Sequence, residues 1–176
     1  AASFCAWVLY AWPPVQLKGV PLAGTALHWL SMATHAAMGY TAVGQIDRRG
    51  LVVAAYLGLL FAGGHLHHEQ IDIEADRAAG VRTGAVAFGR RFARFAPLSV
   101  FAVAAIGISI AAAAGEVDPR LAGPFAGAFL GQLAAWAVLS PRFDEASPRT
   151  RYRAVYRALY LAAGILYLGW KWLASI

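Results

Sequence analysis

Long apolar runs alternate with short polar breaks along the chain. Ala1–Trp12 is apolar but too short to cross a bilayer alone, since a span takes about 20 residues. Pro13 and Pro14 end it, and Lys18 and Gly19 complete a short loop. Pro21–Gly44 reads as a first full span, with His28 and His35 on one face. Gln45–Gly50 is a polar turn. Leu51–His65 begins a second span, which runs directly into charged sequence. Gly80 is expected to break that helix, with a basic loop following through Arg94. Pro97–Gly115 is a third span and Glu116–Arg120 a tight loop. Leu121–Leu139 is a fourth span, whose Gly123, Gly127 and Gly131 permit close helix approach. Ser140–Arg157 is the most polar connection, with helix entering at its last turn. Ala158–Leu173 is a fifth span, with Tyr160, Tyr167, Trp170 and Trp172 suited to interfacial anchoring. The expected fold is all-α: a polytopic transmembrane helical bundle of five full spans and one partial N-terminal span, forming a single domain over residues 1–176.

Composition supports this pattern. The 176 residues are 60% hydrophobic and only 14% charged, too apolar for an ordinary soluble domain. The net charge of +6 points to membrane topology rather than to nucleic acid, because Lys and Arg collect in cytoplasmic loops. Eleven of the fifteen basic residues fall in the loops 13–20, 77–94 and 140–157, which alternation places on one side. That side is read as the cytoplasm, in a multi-pass protein of the cell inner membrane. A single cysteine, Cys5, excludes an intramolecular disulfide and argues against a metal–thiolate site. The start, AASFCAWVLYAW, has no Met and no basic region before its apolar run. It reads as the tail of a span rather than a signal peptide, so the chain is expected to be truncated at its N-terminus.

The candidate chemistry lies in residues 65–91, which hold four of the nine acidic residues and four of the fifteen basic ones. Acids this dense at the end of a membrane-length apolar run are costly unless paired, which makes them a functional-site hypothesis. On a helix, Glu69, Asp72 and Asp76 share one face within an arc of about 60°, while Glu74 points away. Their donors are all oxygens, which suits a hard ion such as Mg²⁺. Arg77 and Arg82 suit phosphate oxygens, and Lys18 adds positive charge on the same predicted side. Metal and phosphate ligands at the mouth of an apolar bundle suggest a lipid phosphate or diphosphate, its tail housed among the helices. His65 shares the acidic face and is placed to pair with Glu69 at i+4, whereas His67 is not. Five histidines in one HxHH group and two isolated positions are too few for a histidine-rich di-metal oxygenase. Arg90, Arg91 and Arg94 read as topology determinants meeting anionic lipid.

The run Glu69-x-x-Asp72-x-x-x-Asp76, then Arg77, Gly80, Arg82-Thr83 and Phe88-Gly89, resembles the second aspartate-rich motif of the UbiA superfamily of intramembrane prenyltransferases. LYAWPPVQLKG, with Tyr10, Pro13, Pro14, Leu17 and Lys18, resembles that family's YSxPPxRLK loop. The resemblance implies Mg²⁺-dependent transfer of an isoprenyl group from a prenyl diphosphate to a lipophilic or aromatic acceptor. It implies Asp72 and Asp76 as catalytic metal ligands with Glu69 assisting, and Lys18, Arg82 and Arg77 at the diphosphate. Gln16 stands where a basic residue is common, and His68 where Arg or Asn is common. The family's first aspartate-rich motif is not in this sequence; it is expected upstream, and this stretch alone is expected to be inactive. Alternatives are a non-catalytic membrane scaffold or transporter whose acids bind a cation, and a terpene cyclase of the same fold.

Overall fold

A computed structural model of the protein describes residues 2–12, 17–42 and 44–174. Pro13, Pro14 and Gln16 lie outside the described residues. The elements are α1 (Ala2–Ala11), a 3₁₀ turn at Leu17–Gly19, α2 (Ala23–Thr41), α3 (Arg48–Ala78), α4 (Gly84–Ala113), α5 (Pro119–Leu139), a second 3₁₀ turn at Ser140–Arg142, and α6 (Ala146–Leu173). The described residues contain no strand, so the fold is all-helical. By length and composition, α3, α4 and the helical stretch from Pro119 to Arg142 can each cross a membrane. α2 has 19 residues and α6 has 28, and α6 has Arg149, Arg151, Arg153 and Arg157 in its first half.

Packing divides the chain into two compact units, Ala1–Ala104 and Ala105–Ile176. In the first, α2 lies against α3 at close range. A Cβ added at Gly58 would stand 2.8 Å from both the Trp29 carbonyl oxygen and its indole ring, so only glycine fits. α3 starts where Asp47, in extended backbone, accepts the Gly50 N–H at 2.8 Å, a helix N-cap. This bond is the main reason the Asp47 carboxyl is held below its ordinary pKa. α3 stops at Gly80, where φ is +70°. There Gly80 N–H reaches Arg77 O at 3.2 Å and Val81 N–H reaches Asp76 O at 2.8 Å, the paired bonds of a Schellman ending. Past that turn, Ala85 and Ala93 of α4 pack on Ile73 of α3.

Three expectations need correction. The stretch read as a basic loop through Arg94 is mostly helix: α4 starts at Gly84, not Pro97. The apolar positions Ala85 and Ala93 face inward while Arg90 and Arg91 stay exposed, an amphipathic pattern that charge alone had disguised as loop. The helix is interrupted once, at Gly89, where φ is 80° and ψ is 179°. Likewise, α6 begins at Ala146, well inside the connection Ser140–Arg157, because Tyr152 and Tyr156 turn inward among the arginines. Of the three spaced glycines on α5, a Cβ added at Gly123 or Gly127 would meet nothing within 4 Å among the described residues, whereas one at Gly131 would meet Leu159 of α6 at 3.1 Å.

The second unit has a polar core. Gln132 of α5 is fully buried; its amide donates to Tyr152 Oη at 2.8 Å and accepts from Tyr160 Oη at 3.0 Å. These bonds tie α5 to α6. At the other end, the Arg120 guanidinium lies 4.2 Å over the Trp170 ring.

Candidate active site at the end of α3

A 31-residue helix is about 46 Å long, whereas the hydrocarbon of a bilayer is about 30 Å thick. The surplus is about ten residues, the length of Glu69–Ala78. α3 is thus long enough to cross a bilayer and still carry its acids beyond the hydrocarbon. Asp72 is exposed, and Asp76 and Glu69 are 9% and 6% exposed. From the 3₁₀ turn before α2, Lys18 reaches across to Asp76, with Nζ 4.0 Å from Oδ1. Arg82 is exposed in the short connection between α3 and α4. The structure therefore brings Lys18, Asp72 and Asp76 together at one helix end, with Arg82 in the connection that follows.

Two predicted site residues are differently engaged. Arg77 Nη1 donates to Glu74 Oε2 at 2.8 Å, and Arg90 Nη2 of α4 donates to Glu74 Oε1 at 2.9 Å. Glu74 does point away from the other acids, and it draws Arg77 with it. Glu69 Oε2 accepts the backbone N–H of Ala85 at 3.1 Å, and its Oε1 lies 3.4 Å from His65 Nδ1, the expected i+4 neighbour. Among the described residues, no three His, Cys, Asp or Glu side chains converge as a metal site. The donors still fit Mg²⁺, which commonly takes one or two carboxylates and completes its shell with water and substrate phosphate. Asp72 and Asp76, four residues apart on one face and both oxygen donors, are such a pair.

Below the carboxylates lies an aromatic stack that the sequence did not foretell. The His28 ring rests on His65 at 3.8 Å between centroids, and Tyr10 meets the two rings edge-on at 5.1 and 6.1 Å. Thr25 Oγ1 is 3.3 Å from His65 Nδ1, and His28 Nδ1 donates to Gly24 O at 2.8 Å. The His28–Gly24 bond is local to α2, but the stack joins α1, α2 and α3. His67, fully buried, pairs with Gln70 Oε1 at 2.9 Å on another face. A cavity of about 930 Å³ opens between α2, α3 and α4, walled by Trp29, Leu59, Leu66, Phe92 and Phe95 with Arg91 among its polar groups. A Cβ at Gly84 would meet Glu69 Oε2 at 3.0 Å, Phe92 at 3.4 Å and Leu22 at 3.5 Å, which puts Glu69 beside two residues of the cavity wall.

The sequence model of the UbiA prenyltransferase family matches residues 1–160. The chain belongs to the UbiA prenyltransferase family. Neither a curated protein nor a solved structure matches it. Family membership, with three helices able to span a bilayer, makes it an integral membrane protein of the prenyltransferase class. The match includes α3, the connection at Arg82 and Lys18, so the UbiA assignment covers every candidate site residue.

Proposed function

We propose that the protein is a Mg²⁺-dependent intramembrane prenyltransferase, moving an isoprenyl group from a prenyl diphosphate to a lipophilic or aromatic acceptor. The observation that supports this most is the meeting of Lys18 with Asp76, 4.0 Å apart, drawn from separate elements to the end of an apolar helix. A cation facing a carboxylate that is one of an oxygen-donor pair is the arrangement a metal-bridged diphosphate would occupy.

In this reading Asp72 and Asp76 hold Mg²⁺. When bound, the ion stabilises charge on the departing diphosphate as a Lewis acid. Lys18 and Arg82 hydrogen-bond the diphosphate oxygens and orient the leaving group. Arg77 joins them by leaving Glu74, an exchange made easy by the exposure of that pair. The allylic carbon–oxygen bond breaks and the bonding pair leaves with the diphosphate. The acceptor then supplies the pair for the new bond to that carbon and loses a proton. The apolar helices house the chain, and the site is read as facing the cytoplasm because Lys18, Arg77, Arg82, Arg90 and Arg91 lie on the elements at this helix end.

The test is an assay of the complete protein in lipid, with a panel of prenyl diphosphates and acceptors, with Mg²⁺ and with excess chelator. Metal-dependent appearance of a prenylated acceptor supports the reading. Release of diphosphate with a cyclised hydrocarbon and no prenylated acceptor would replace transfer by cyclisation.

A further inference from the structure

Glu69 shares a face with Asp72 and Asp76, yet it is turned to other work. Its Oε2 accepts Ala85 N–H at 3.1 Å in a buried bond, and its Oε1 stands 3.4 Å from His65. Ala85 is the second residue of α4, and first-turn N–H groups have no partner within their own helix. The sequence offers an ordinary cap in Thr83, directly before Gly84. Its buried hydroxyl is instead turned toward the Asp76 carboxyl. Capping has passed to a carboxylate reaching over from α3, which suits the positive end of a helix in both hydrogen bonding and charge.

The consequence is a fastened elbow. Val81 N–H is bound to Asp76 O at 2.8 Å, and Ala85 N–H to Glu69, so the connection carrying Arg82 is pinned at both ends to α3. Glu74 ties the outer side through Arg77 and Arg90, but those pairs are exposed and screened, whereas the Glu69 bond is buried.

We infer that Glu69 is a positioning residue: it fixes the start of α4 against α3, and with it the place of the connection that carries Arg82, and is not a metal ligand. The test compares Glu69→Gln, Glu69→Ala and Asp76→Asn in the complete protein in lipid nanodiscs. Amide exchange is read across residues 79–92, and metal binding is read with Mn²⁺ in the presence of inorganic diphosphate. Glu69→Ala should speed exchange at the start of α4 on the order of 5- to 100-fold, the range for loss of a buried hydrogen bond. Glu69→Gln keeps an oxygen acceptor and should retain both the protection and the Mn²⁺ affinity of the parent. Asp76→Asn should lose Mn²⁺ affinity while keeping the protection. Unchanged exchange in Glu69→Ala, or a loss of Mn²⁺ binding in Glu69→Gln equal to that of Asp76→Asn, would overturn the inference. Should Glu69→Ala fail to fold, the Glu69→Gln comparison still decides the metal question. The inference rests on the prenyl-transfer reading for what Arg82 does. Exchange and metal binding are read without turnover, so a negative transfer assay alone leaves them standing.

Discussion

Lys18→Met separates a residue that anchors the fold from one that binds substrate. Lys18 Nζ lies 4.0 Å from Asp76 Oδ1, at the limit of an ion pair, and its side chain is 50% exposed. Half-exposed pairs of this kind are worth about 0–1 kcal/mol, since water screens them and long side chains lose freedom in forming them. The methionine keeps most of the apolar stem and loses the charge. Thermal stability in detergent should therefore move little, by no more than about 3 °C for a domain of this size. A charged hydrogen bond to diphosphate is a different matter, worth about 1.5–3 kcal/mol, or about 10- to 150-fold in kcat/KM for the prenyl diphosphate. The measurement pairs a melting curve with transfer kinetics, and adds cysteine-accessibility mapping of the loops. Lost kcat/KM with retained stability and topology is the expected result. An unchanged kcat/KM, or an inverted topology, would show that Lys18 serves only as a positive anchor.

Other consequences follow from the packing. Gly58→Leu should destabilise the first unit by about 1–3 kcal/mol or prevent folding, because the Trp29 carbonyl and ring already stand 2.8 Å from where its Cβ must go; a thermal shift assay reads this. Gln132→Leu leaves the Tyr152 and Tyr160 hydroxyls without this buried partner and should cost about 1–3 kcal/mol, measured by unfolding in mixed micelles. Asp47→Ala should destabilise α3 at neutral pH. Asp47 titrates below its unfolded value when folded, so its contribution is present above that value, about 3.9, and disappears as the pH falls through the folded one. Stability of Asp47→Ala and the parent should converge in acid, and a difference constant across pH 3–7 would contradict the cap.

The acidic end of α3 was legible because helix geometry is periodic: three residues at i, i+3 and i+7 fix a face whatever surrounds them. Gly80 was legible for a similar reason, since a glycine after a charged turn commonly ends a helix in the left-handed region it occupies here at φ +70°. The start of α4 was not. Its arginines looked like loop because charge was read as exposure of the backbone, when only the side chains are exposed and Ala85 and Ala93 hold the helix to Ile73. The partnership of Glu69 with Ala85 was invisible for a deeper reason: a backbone N–H has no sequence signature, and a carboxylate seen on the metal-facing stripe is naturally counted as a ligand. The His28–His65 contact joins α2 to α3 and depends on their packing, which single-helix periodicity does not report.

The central claim is that Asp72 and Asp76 form the metal-binding end of a prenyl-transfer site, and its most direct measurement is prenyl transfer by Asp72→Asn and Asp76→Asn in the complete protein. Each is to be titrated with Mg²⁺ beside controls for membrane insertion and melting. The side chains keep their size and lose their charge, so both variants should insert and melt as the parent does. Transfer should be abolished at Mg²⁺ concentrations that saturate the parent. Parent-level transfer by either variant, with an unchanged Mg²⁺ requirement, would contradict the account.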